Sequence, residues 1–286
     1  MAVRVIHVLA VAPPTGIFTD GYFFHEVARF LAGGHGYVNP AELAFKGNSV
    51  ATAGHPPLYT FVLAAATKLG ITGDEAQRSL GCLLGAGTIA AVGVLGRRVA
   101  GAATGLVAAL IAAFHPLLIG ADGALMSETL YGLLIAFVLI AAYRTLDQPT
   151  VRRAVVLGLG VGLCALTRAE ALLLVPLLTL PVAWRADRWR RRLALIGAGF
   201  LATVVVVAPW TARNWSAFGQ PVLISTNDGL TVAGANCAAA YHGRDLGSFR
   251  TDCIGPITSP DNEARQADRY RSQGLSYARD HAGRLP

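Results

Sequence analysis

Apolar residues along this chain come in long continuous runs, separated by short polar connections. Runs expected to form membrane helices cover about 79–96, 101–119, 129–145, 152–167, 169–184 and 193–210. A full crossing takes about 20 residues, so the ends of several runs are expected to extend into the connections. Val3–Val11 is a shorter run, expected to be a curtailed first helix. Pro57–Gly70 is apolar but short for a crossing and is expected to lie in, or dip into, the membrane interface. After Trp210 the pattern changes: residues 237–286 hold 13 charged residues against 28 in the preceding 236, and no apolar run exceeds a few residues. The pattern predicts an all-α polytopic membrane protein of about seven membrane helices. Residues 1–210 form its transmembrane module, with a long first outer loop at 13–78 carrying interfacial helices. Residues 211–286 form an extracytoplasmic segment, expected to be incomplete because no closing element precedes Arg284-Leu285-Pro286.

Charge sharpens this picture. Only 14% of residues are charged and 53% are hydrophobic, where a soluble domain carries about 25% charged residues. Disorder is excluded on the same ground. The net charge of +7 is nearly all arginine, lysine occurring only at Lys46 and Lys68. The basic residues fall on every second connection: Arg97-Arg98, then Arg144 with Arg152-Arg153, then the Arg185–Arg192 cluster. Connections rich in Arg stay on the cytoplasmic side. That places Asp122, Glu128, Arg168 and Glu170 at the outer face of a plasma-membrane protein. The cluster between two apolar runs argues against a nucleic-acid partner and for membrane lipids. Cys82 and Cys164 sit inside apolar runs as small hydrophobes. Cys237 and Cys253 flank an outer polar segment, where a disulfide and two free thiols are both open.

Candidate chemistry gathers on the outer face. Thr19-Asp20-Gly21-Tyr22-Phe23-Phe24-His25-Glu26 follows the first apolar run. An acid at a membrane boundary is costly unless wet or functional, so Asp20 is a candidate general base or metal ligand, or simply a solvated acid. His55 precedes Pro56-Pro57, where two prolines stiffen the backbone at a helix start; it is either a held ligand or part of a helix-start signal. Glu128 follows Ser127 at a helix N-terminus, which by itself favours a carboxylate. Arg168 and Glu170 are an i, i+2 pair, poorly placed for each other on a helix and expected to seek other partners. Arg213, between Trp210 and Trp215, fits either a clamp on a lipid phosphate or an interfacial anchor. Ser225–Gly229, with Asp228, reads as a polar loop. No nucleotide-binding loop, HExxH or GxSxG occurs, so no nucleotide cofactor is expected. Gly158-Leu159-Gly160-Val161-Gly162 reads as a small-residue packing face.

Six blocks, in order, carry a family resemblance: TDGYFFHEVARFLAGGHGYVNP, HPPLYTFVLAA, GRRVAG, HPLLIGADGALMSETLYGLL, GLGVGLCALTRAEALLLVP and APWTARNWSAFGQPVLISTNDG with its trailing GAN. Over about residues 15–236 the chain resembles the GT-C superfamily of polytopic glycosyltransferases, near the protein O-mannosyltransferases and aminoarabinose lipid A transferases, and its arginine bias resembles that of actinobacterial members. The resemblance implies transfer of a sugar from a polyprenyl-phosphate donor to an outer-face hydroxyl of a glycan, lipid or protein, with inversion. It puts Asp20 at the catalytic position and Arg213, then Arg168, at the donor phosphate. Tyr22, His25, Glu128, Asn214 and Asp228 are expected to bind substrate or shape the site. A divalent metal at Asp20 and His55 is a further implication, with His55 standing where some relatives carry an acid. A transporter is the alternative from another class, though no internal repeat supports it; an inactive fragment or scaffold is the other.

Overall fold

The computed structural model describes residues 1–17, 19–255 and 262–284. In chain order its helices are α1 (Ala2–Ala10), α2 (Asp20–Ala32), α3 (Pro40–Lys46), α4 (Leu58–Lys68), α5 (Asp74–Phe114), α6 (Pro116–Asp122), α7 (Ser127–Asp147), α8 (Val151–Ala165), α9 (Leu174–Trp184), α10 (Trp189–Phe218), α11 (Asn227–Ala235), α12 (Ala238–Tyr241) and α13 (Glu263–Asp280). No strand element occurs among the described residues. The chain divides into two units: Met1–Val50 with Pro56–Pro209, and Ala51–His55 with Trp210–Pro286. The short Ala51–His55 stretch of the first loop therefore folds with the C-terminal residues.

Three helices among the described residues are long and apolar enough to cross a membrane: α5, α7 and α10. The run at 169–184 opens as a 3-10 turn at Ala169–Leu173 before α9, and α8 is 15 residues long. α5 is two helical arms. The chain leaves helical geometry at Ala100 and Gly101, and Gly101 takes φ +88, a left-handed conformation that glycine adopts without steric cost. The arms then pack back on one another: a Cβ on Gly105 would lie 2.8 Å from the Arg97 backbone nitrogen. The apolar run predicted to reach 119 stops at His115, which is extended because Pro116 follows it and disfavours helix in the preceding residue.

In the first unit α8 packs through its glycines. A Cβ on Gly158 would overlap the Gly199 carbonyl of α10, and one on Gly162 would sit 2.7 Å from Val206 Cβ. Gly160 faces α7 instead, at Val138. Small residues let helix backbones approach where no hydrophobic force drives them together. The Pro57–Gly70 run forms α4, and its buried Tyr59, Leu63 and Ala64 pack with Phe24 and Ala28 of α2. Phe24 and Tyr59 meet edge to face, centroids 5.1 Å apart. Contact with α2 thus covers one side of a helix expected to lie at the interface.

The alternate basic connections come together at one end of this unit. Arg98 pairs with Asp147 at the end of α7. Arg153 donates to the Arg144 carbonyl at 2.5 Å, and Arg191 to that of Pro149 at 2.9 Å.

In the second unit α11 and α13 lie against each other through glycine. A Cβ on Gly229 would overlap the Ala267 backbone, and one on Gly274 would lie 2.7 Å from the Val232 carbonyl carbon. Cys237 and Cys253 are joined by a disulfide.

Candidate functional site

Asp20 is the first residue of α2, and its side chain is exposed. Thr19 caps the helix, its hydroxyl accepting from the Tyr22 amide at 3.3 Å and donating to the Gly16 carbonyl at 2.7 Å. This satisfies a helix-start donor that otherwise has no partner. The preceding loop is tied to α5: Arg78, 3% exposed, donates to the Pro13 and Gly123 carbonyls, and Thr15 donates to Asp74 at 2.5 Å. Gly21 then abuts the α6–α7 loop so closely that a Cβ would lie 2.9 Å from the Ala124 carbonyl oxygen. In that loop Leu125 takes φ +50, the only positive φ outside glycine among the described residues, while fully buried against Phe24 and Tyr59. A left-handed leucine is held only by surroundings that over-determine it, and such strain gathers at functional sites. No sequence signal marks Leu125.

Two other residues of α2, His25 and Tyr22, are also expected at the site. Gln77 is fully buried and donates to Thr67, so its carbonyl oxygen accepts from His25 Nδ1 at 2.9 Å. His25 is therefore bound to the α5 interior. Burial, then the Glu26 carboxylate, push the Tyr22 phenol above its ordinary pKa.

Arg168 binds Glu128 and Glu170 together, each at 2.5 Å. The i, i+2 pair is close because Arg168 precedes the 3-10 turn in extended backbone, φ −148 and ψ 121; the helical geometry that makes such pairs poor does not apply there. One guanidinium shared by two carboxylates leaves a local charge that is net negative, which weakens Arg168 as a phosphate ligand. The main-chain bond from Leu58 to the Leu166 carbonyl, 2.8 Å, fixes the start of α4 beside this cluster. Deeper in, Asp122 pairs with Arg4, whose guanidinium also donates to the Ala112 and Ala113 carbonyls; the two side chains are 4% and 2% exposed. Arg4 escaped sequence reading because it stands as one charge in a short apolar run.

The second unit holds the remaining expected residues. Arg213 lies over the Trp210 ring, 4.8 Å from its centroid, and donates to the Thr52 carbonyl at 2.7 Å and to Asn214 at 3.1 Å. Asn214 is fully buried and donates to the Val222 and Ile224 carbonyls. Asp228 pairs with Arg271 of α13 at 2.7 Å. The last two side chains thus serve the unit's own packing. Glu263, which no sequence feature singled out, accepts from Thr52 Oγ1 at 2.6 Å, the Ala53 amide at 2.9 Å and Thr226 Oγ1 at 2.5 Å. It fastens the stretch that carries His55. Among the described residues no three His, Cys, Asp or Glu side chains gather as a metal site.

A family model described as dolichyl-phosphate-mannose-protein mannosyltransferase matches residues 54–212. That is more than half of the 286-residue chain. Comparison with curated proteins and with solved structures gives no match.

Proposed function

We propose, on the premise that this chain belongs to the dolichyl-phosphate-mannose-protein mannosyltransferase family of GT-C-type membrane glycosyltransferases, that it moves a sugar from a polyprenyl-phosphate donor to an extracytoplasmic hydroxyl. Glycan, lipid and protein hydroxyls are the acceptor class. In this reading Asp20 accepts the acceptor's hydroxyl proton as its oxygen attacks the anomeric carbon. The new C–O bond forms on the face opposite the breaking one, which inverts the centre. The bonding electrons leave with the polyprenyl phosphate, whose growing charge needs a fixed cation. Arg213 is assigned that role ahead of Arg168. The Trp210 ring and the Thr52 carbonyl orient its guanidinium in advance, while Arg168 is already shared between two carboxylates.

The observation that carries the reading is the family match over residues 54–212. Asp20 and Arg213 lie outside those residues. Support for Asp20 is its exposure on a capped helix start, braced by Arg78 and by the strained Leu125 loop. The test is transfer from a panel of radiolabelled polyprenyl-phosphate sugars in membranes expressing the chain. Asp20→Asn is expected to lower transfer about 100-fold or more, the scale of a lost general base, with insertion and helix content unchanged. Transfer retained in Asp20→Asn overturns the assignment.

A further inference from the structure

We propose that the first unit binds the head group of an anionic phospholipid in the groove between the C-terminal half of α7 and the first turns of α8. The groove encloses about 780 Å³ and joins an apolar wall, Phe137, Ile140 and Val156, to a rim of Arg144, Arg152 and Arg153. Phe137, Ile140 and Arg144 share one face of α7 by helical spacing, and the wall rises about 10 Å to the rim. Phe137 and Val156 are 54% and 53% exposed. In a membrane protein, such outward apolar surface meets acyl chains.

The rim has unspent positive charge. Arg153 donates to the Arg144 carbonyl and so closes the end of α7. Arg144 and Arg152 are exposed, and neither makes an ion pair among the described residues. Asp147 also lines the groove, but Arg98 neutralises it. The bond from Arg191 to the Pro149 carbonyl brings a third basic connection to this end. Planar guanidinium groups suit the paired oxygens of a phosphate, and basic pockets between membrane helices take anionic head groups. A soluble anion would match the rim alone. A phospholipid matches rim and wall together, which is why it is the occupant proposed. The proposal is independent of the transferase reading and of Asp20.

The test is native mass spectrometry of the full chain released from detergent after incubation with phosphatidylglycerol or phosphatidylcholine. Preferential retention of phosphatidylglycerol is expected, weakened roughly 30-fold in R144Q/R152Q, the scale for two basic residues at a membrane surface. The exposed pair Arg188 and Arg190, which does not line the groove, changed to R188Q/R190Q, is expected to lower retention far less. Val156→Trp, which fills the wall and keeps every arginine, is expected to lower retention as well and stands in if R144Q/R152Q does not fold. Equal retention of both lipids, equal losses in the two arginine pairs, or full retention in Val156→Trp overturns the proposal. So does displacement of the lipid by inorganic phosphate, which would mark a free-anion site.

Discussion

Glu263→Ala tests how the second unit holds its one stretch from the first loop. The carboxylate accepts from Thr52 Oγ1, the Ala53 amide and Thr226 Oγ1, and these three residues are 1%, 0% and 5% exposed. The Thr226 amide in turn donates to the Ala53 carbonyl at 2.9 Å, so one carboxylate supports a small closed network. A hydrogen bond to a charged group contributes about 1.5–3 kcal/mol. The three are not additive, and Glu263 is only half-buried, so water replaces part of what is lost. A net loss of about 3 kcal/mol is the expectation, a factor of about 100 in local opening. Hydrogen exchange read by mass spectrometry on the full chain in detergent reports it directly: the Ala53 and Thr226 amides are expected to exchange about 100-fold faster, with α7 as the unchanged internal reference. Glu263→Gln keeps the shape but sets an amide donor against existing donors, so an intermediate loss is expected. Exchange at Ala53 and Thr226 within about two-fold of the unsubstituted chain would refute the reasoning.

Asp122→Asn leaves the Arg4 charge buried without its counter-ion, and a loss of about 3–5 kcal/mol is expected in thermal unfolding of the solubilised chain; Arg4→Met with Asp122→Leu should recover most of it. Cys237→Ser opens a link between residues 16 apart, a loss of about 3 kcal/mol from loop entropy; separate cysteine peptides in a non-reduced map would remove the bridge. Gly158→Leu forces a side chain into the Gly199 carbonyl and is expected to destabilise by about 2 kcal/mol or more, whereas Gly197→Leu, with no neighbour within 4 Å of its Cβ position, should be silent. Equal melting of the two glycine variants would count against the α8–α10 contact.

Features governed by neighbours along the chain were readable in advance. Apolar runs predict helices because a buried backbone must satisfy its own hydrogen bonds; Pro56-Pro57 mark the start of α4, and the glycine spacing of α8 marks a packing face. The Arg98, Arg144–Arg153 and Arg185–Arg192 connections predict a shared end, since alternate connections between crossing helices must lie together. Helix ends were less legible. The stop at His115 hides inside an apolar run expected to continue to 119, where hydropathy is blind to a change of backbone angle.

Pairings between distant residues belong to the tertiary structure alone. Arg4 with Asp122, Arg168 between Glu128 and Glu170, Gln77 with His25, and Glu263 with Thr52 each join charges or amides far apart in sequence or in unexpected backbone. Composition determines how many such groups an apolar protein must satisfy. Only the packed chain decides which of them meet, because each partner is selected by the position and burial of a different helix. Asp20 shows both sides of this division: the sequence alone marks it as an acid at a membrane boundary, and folding sets it, exposed, on a helix start held by Arg78 and the Leu125 loop.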